Sequence, residues 1–217
     1  MRSSNWVLTY FAFFATLAAG QDLPSHLPPV PPGVFNASAR ILIDAPIQKV
    51  WDTLLDFPSY PDWNPFVLTK MNRSQVVVDD LDIPLEDQTP REGRSILIKS
   101  VIPPLEGPVD ASTPSDPERT QITRETITHV NTPERFQTAW KNQSPPEVLD
   151  AERWSAVSEV VLDSRTWALY ESREVFRGEM APIVEESVGE GLQKAFEAQA
   201  TALKARAESQ ICLQSRV

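Results

Sequence analysis

The chain is poor in the residues that build the most recognisable catalytic centres. It has a single cysteine, Cys212, close to its C-terminus. An intramolecular disulfide is therefore impossible, and the core must hold without covalent staples. Cys212 has no histidine-bearing motif around it and reads as a tail thiol, not as a nucleophile. There are only two histidines, His26 and His129. Without a cysteine cluster, two histidines do not make a zinc site, and the acidic stretch DDLDIPLED (79–87) lacks the spacing of an EF-hand. Seven glycines are spread too thinly for a phosphate-cradling loop, and no Gly-x-Ser-x-Gly elbow occurs. No metal and no cofactor are therefore expected. Positive charge is also scarce, with 20 Lys+Arg against 30 Asp+Glu and a net charge of -10. That balance argues against nucleic acid and against anionic lipid surfaces as partners.

Long apolar runs are confined to the start. MRSSNW carries Arg2 and no acid, VLTYFAFFATLAA follows, and small residues end at Gly20. This is the pattern of a secretory signal peptide over 1–20, too short to span a bilayer. No later run is long and apolar enough for stable membrane insertion. A secretory or extracellular destination follows from this reading. Three Asn-x-Ser sequons, at Asn36, Asn72 and Asn142, then become candidate glycosylation sites.

What the chain does have is proline, 20 in all, five of them in QDLPSHLPPVPPG (21–33). That segment reads as an extended lead with polyproline character, leaving His26 exposed. From residue 34 the pattern becomes period two. Phe35, Ala37, Ala39, Ile41 and Ile43 share one face of a strand, and Asn36 lies on the other. Next, Ile47, Val50, Trp51, Leu54 and Leu55 form one apolar helical stripe. Asp44 is placed to cap this helix, Pro46 suits its first turn, and Pro58 stops it. Strand-like runs follow at 66–71 and 75–78 (one broken strand or two), 95–102, 121–130, 136–141, 153–162 and 166–176. Acidic or proline-rich loops at 79–93 and 103–118 separate some of them. A long helix begins at Pro182, with Gly189 and Gly191 weakening its middle as a possible kink. One domain is predicted over 34–208, with a tail at 209–217. Strands in unbroken series favour antiparallel neighbours, and the last helix is the only element large enough to cover the sheet.

The stretch IDAPIQKVWDTLLDFPSYPDWNPFV (43–67) resembles the opening signature of the START-like, birch-pollen-allergen-like superfamily (SRPBCC). The polyketide cyclase/dehydrase and lipid-transport family belongs to it. Ala45-Pro46, Val50-Trp51, Asp56-Phe57, Tyr60 and Trp63-Asn64-Pro65 carry the likeness. Glu174, Phe176, Gly178 and Pro182 ahead of a long helix carry a second one. The resemblance implies an α+β helix-grip fold: a curved antiparallel sheet of about seven strands around a long C-terminal helix. A short helix after strand one closes an end, with Trp51 and Trp63 as packing residues there. It also implies an internal cavity for an apolar small molecule.

Two functions fit such a container. One is a cofactor-independent cyclase or dehydratase acting on a polyketide- or terpenoid-like substrate by positioning and hydrogen bonding. The other is a non-catalytic carrier of a lipid or hydrophobic metabolite. The polar candidates for catalysis are Tyr170, whose hydroxyl can bond a carbonyl or enol, and His129, which titrates near neutral pH. Trp140, Trp154, Phe176 and Phe196 are the candidate cavity wall. On 166–176 both faces contain apolar groups, so periodicity leaves the inward face open, and Arg173 with Glu174 reads best as an exposed pair.

Overall fold

A computed structural model describes residues 23–67, 75–110, 112–114 and 116–214, with side chains to residue 209. The expected signal segment, Asn72, most of the run at 66–71 and the Cys212 thiol lie outside these.

Seven strands form one antiparallel sheet. They are β1 (Phe35–Ile43), β2 (Gln75–Val78), β3 (Ser95–Val101), β4 (Thr120–Asn131), β5 (Gln137–Asn142), β6 (Asp150–Leu162) and β7 (Arg165–Arg177). Their order is β1-β7-β6-β5-β4-β3-β2, so β1 and β2 are the edges. Helix α1 (Ile47–Leu55) and a 3₁₀ helix (Phe57–Asp62) follow β1, and α2 (Ala181–Gln214) closes the chain. Helix α2 therefore continues into the residues expected as a tail. This is the helix-grip arrangement.

Helix α1 forms where its apolar stripe predicts, burying Val50, Trp51 and Leu54. Its start differs from expectation. Pro46 is the N-cap, with no side-chain cap, and its carbonyl accepts from the Lys49 and Val50 N–H groups. Asp44 instead pairs with Arg165. Helix α2 buries Leu192, Ala195, Phe196, Ala200, Leu203 and Ala207, whereas Ile183 in its first turn, on the same apolar side by sequence, is exposed. Gly191 serves close approach: a Cβ there would lie 2.9 Å from Ile102 Cγ2 and 3.4 Å from the Pro103 backbone. Glycine lets the end of β3 press against the helix.

An edge strand leaves a row of backbone groups unpaired. Here both edges are met by a glutamine. Gln193 of α2 accepts from Ser38 N–H at 3.0 Å and donates to Ser38 C=O at 2.9 Å on β1. Gln88 treats Val77 of β2 the same way, at 2.9 and 3.0 Å. Farther along β1, Lys204 donates to the Leu42 carbonyl and Glu208 accepts from Asp44 N–H.

The proline-rich lead lies along the outer face of β7. Its carbonyls at Pro28, Pro31 and Pro32 accept from Arg173 and Arg177. Gln137 donates to His26 C=O, and Glu171 accepts from His26 N–H. The His26 side chain is exposed, as expected. Gly33 lies so close to the sheet that a Cβ would come 2.3 Å from Phe176 O.

Candidate functional site

The register decides which side chains meet α2. The inward positions of β1 oppose Phe176, Glu174, Ser172 and Tyr170 of β7. These in turn oppose Ala151, Arg153, Ser155 and Val157 of β6. Trp140 opposes Arg153, and Thr138 opposes Ser155. Ile127 opposes Trp140, and Glu125 opposes Asn142. The concave face thus carries a polar group amid apolar residues: Glu125, Arg153 and Glu174, with Ser155, Ser172 and Gln199 beside them.

The closed end is built from the segment after α1. Trp51 packs edge-on against Phe136, Phe57 against Trp140, and Tyr60 against Trp63. The Tyr60 hydroxyl donates to Leu54 C=O at 2.6 Å, and its burial pushes the phenol far above its usual range. In the Trp-Asn-Pro turn, fully buried Asn64 accepts from the N–H groups of Phe66 and Val67 with one side-chain oxygen. Phe66 C=O accepts from Val101 N–H at 2.7 Å. Turn and strand together hold the Phe66 ring over the interior.

Arg153 sits at the centre and is 5% exposed. Its guanidinium lies 4.0 Å from the Phe196 ring centroid, 5.6 Å from Phe66 and 5.8 Å from Trp140, a cation–π cage. Nε donates to Ser172 Oγ and Nη2 to Gln199 Oε1, both at 3.1 Å. Ser155 and Ser172 hydroxyls are bonded at 3.2 Å. Among the described residues, no carboxylate forms an ion pair with Arg153 within 4.0 Å.

The two glutamates are strongly perturbed by burial. Burial pushes Glu125 up to about 7, against a hydrogen bond from Thr123 and the charge of Arg153. Burial and the Glu125 charge push Glu174 up to about 8, again against Arg153. They titrate as a pair. Glu174 points inward and is desolvated, and it is half-buried. Several sealed polar atoms on this side have no protein partner: Tyr170 Oη, Glu125 Oε2, Gln75 Nε2 and Asn64 Nδ2. Buried polar atoms want a partner, and such a set is a receptive surface for a polar ligand group or water.

Tyr170, Trp140, Phe176 and Phe196 lie on the enclosed side of the sheet, facing α2 or belonging to it. His129 and Trp154 do not. A register shift between Ile127 and His129 places Thr128 as an extra residue, so strict alternation, which would turn His129 inward, is broken. Thr128 bonds Glu152 of the outer face at 2.7 Å. His129 packs on Trp154 with ring centroids 4.5 Å apart. Trp154 opposes Arg173, and its indole donates to Glu152 at 3.0 Å. Together with Val30 and Pro31 of the lead it borders an outer cleft of ≈ 110 Å³. Glu174 is internal and Arg173 external, so they are not a pair. Glu125 and Arg153 escaped sequence reasoning. Their only signal was a charge at an inward register position of an otherwise apolar strand.

The sequence matches no protein-family model and no curated protein. Solved structures do share the fold. A hypothetical protein from Helicobacter pylori matches at 12% identity and TM-score 0.56, covering 81% of this chain and 89% of that one. A START superfamily protein from Mycobacterium smegmatis matches at 15% identity and TM-score 0.48 over 81% and 98% of the two chains. A Thalictrum norcoclaurine synthase mutant, in complex with a transition-state analogue, matches at 12% identity and TM-score 0.48 over 81% and 95%. The chain has a helix-grip fold, shared with the Helicobacter pylori protein.

Proposed function

We propose that the protein binds an apolar, polyketide- or terpenoid-like molecule between sheet and α2 and promotes its cyclisation or dehydration without a cofactor. The observation that carries this reading is the pair of inward glutamates on the same concave face as Arg153 and the unpartnered Tyr170 hydroxyl, with burial raising both carboxyls toward neutral pH. Near pH 7 one carboxyl is available as acid and the other as base, the poise that general acid–base catalysis needs. In an aldol-type closure the base takes a proton from the carbon next to a carbonyl. The resulting enolate carbon bonds to a second carbonyl carbon, whose oxygen receives the acid's proton. The two carboxyls have then exchanged roles: in the loss of water the former acid, now a carboxylate, takes the second α-proton, and the former base, now protonated, protonates the departing hydroxyl, which returns both to their starting states. Tyr170 donates to the carbonyl that becomes the enolate. The apolar walls fold the chain into a reactive shape.

The test is incubation with a linear poly-β-ketone followed by mass spectrometry. The expected product is cyclised and one water lighter. It is lost in Glu174→Gln, reduced in Tyr170→Phe and unchanged in His129→Ala. A ligand bound but recovered intact would overturn catalysis in favour of carriage. The reading extends to passage through the secretory route, supported by the pattern of residues 1–20. Asn36 is exposed on β1, whereas Asn142 is half-buried and accepts from Ser144 N–H at 2.7 Å, so Asn36 is the better-placed glycan acceptor of the two.

A further inference from the structure

We infer that the interior selects an apolar ligand bearing a single carboxylate, seated end-on against Arg153. This rests on the interior being a small-molecule site and specifies what enters it. A guanidinium has five N–H donors in a planar fork. Arg153 uses Nε for Ser172 and one N–H of Nη2 for Gln199. Among the described residues Nη1 has no hydrogen-bond acceptor, and with the remaining N–H of Nη2 it forms the end-on fork that matches the two oxygens of a carboxylate. The Phe196, Phe66 and Trp140 rings around it fit the apolar body that follows the head group.

Charge argues for an anion and limits it to one negative charge. A guanidinium stays protonated at any ordinary pH, and its desolvation is repaid only by an anion in contact. The protein supplies no carboxylate within 4.0 Å among its described residues. Arg153 is also the only cation among the inward-facing described positions of the sheet. The titratable groups that share its space are Glu174 and Tyr170 of β7, Glu125 of β4 and Tyr60 of the 3₁₀ helix, and α2 presents neutral Gln199. With the glutamates protonated, the interior carries one uncompensated positive charge. A dianion would overcompensate it, and a neutral alcohol would leave it bare.

The experiment compares decanoate, decanol and methyl decanoate by isothermal titration at about pH 6 and about pH 9, on wild type and Arg153→Gln. Decanoate is expected to bind wild type at least ~10-fold tighter than the alcohol or ester at pH 6. That advantage should vanish in Arg153→Gln, whose retained decanol binding shows an intact site. It should also shrink at pH 9, where the glutamates ionise and repel the ligand. Equal affinity for acid and alcohol, or an acid preference that survives Arg153→Gln, overturns the inference and leaves the small-molecule reading standing. An acid advantage in wild type that does not change with pH also overturns it, and this readout does not depend on the variant folding. If none of the three probes binds wild type, the small-molecule reading falls and the inference with it.

Discussion

The two faces of one sheet handle charge in opposite ways. On the convex face every arginine of β7 finds oxygen. Arg173 reaches the Pro28 carbonyl, and Arg177 reaches Asp150 at 3.0 Å as well as two carbonyls of the lead. Arg40 of β1 pairs with Glu171 at 3.4 Å. On the concave face, one strand away, Arg153 has hydroxyl and amide acceptors but no contacting carboxylate, and two glutamates stay where ionisation is costly. The outer face shows that this chain can satisfy its charges. The inner face leaves its buried charges unmatched, at a cost in stability.

The contrast is broken most severely by pH. Glu125 and Glu174 bind their protons more tightly folded, near 7 and 8, than in the unfolded chain, at about 4.3. The folded state thus holds more protons across that window. The associated stability is complete below about pH 4 and is lost as pH rises through 7 and 8, by several kcal/mol. Urea denaturation at about pH 5 and about pH 8.5 should show the loss, and Glu125→Gln/Glu174→Gln should flatten it. A wild-type slope equal to that of the double variant would remove the inner face from the comparison.

A smaller effect has opposite signs on the two faces. At about pH 5, with both glutamates neutral, Arg153→Met removes an uncompensated cation and should stabilise the fold by ~1–3 kcal/mol. Arg177→Met breaks its bonds to Asp150 and the lead and should destabilise by ~1–2 kcal/mol. Denaturation midpoints of the two variants check this, and equal signs would refute the contrast. The smallest effect is at Tyr170→Phe. It deletes a sealed hydroxyl that has no protein partner, so folding stability should stay within ~0.5 kcal/mol of wild type or rise slightly. A loss above ~1.5 kcal/mol would show that the hydroxyl is held by a structural water.

Much of the architecture was legible because its signals are local. The α1 stripe, the period-two pattern of β1 and the alanine-rich end of α2 each declare an element and its apolar face. The orientation of β6 and β7 was not legible, for a physical reason. Alternation reports inside and outside only when one face is wet, and here the proline-rich lead covers part of the other. Trp154 and Leu169 are buried on the outer face, 8% and 1% exposed, as thoroughly as Trp140 on the inner. His129 was misplaced by a single extra residue at Thr128, which no pattern of polarity announces. Arg153 and Glu125 were hidden because a charged residue in a strand ordinarily means solvent. Only the register of the whole sheet reveals that these two point away from it.

The glutamines at the two margins of the sheet have a consequence for solution behaviour. A carboxamide is a peptide unit with no chain behind it, so Gln193 and Gln88 present to the end strands what an eighth and a ninth strand would offer, and then stop. A second molecule seeking to extend the ladder meets a row already interrupted at Ser38 and at Val77. The same two amides that finish the architecture thus guard it against filament growth, and replacing either with leucine would reopen a docking edge for another polypeptide.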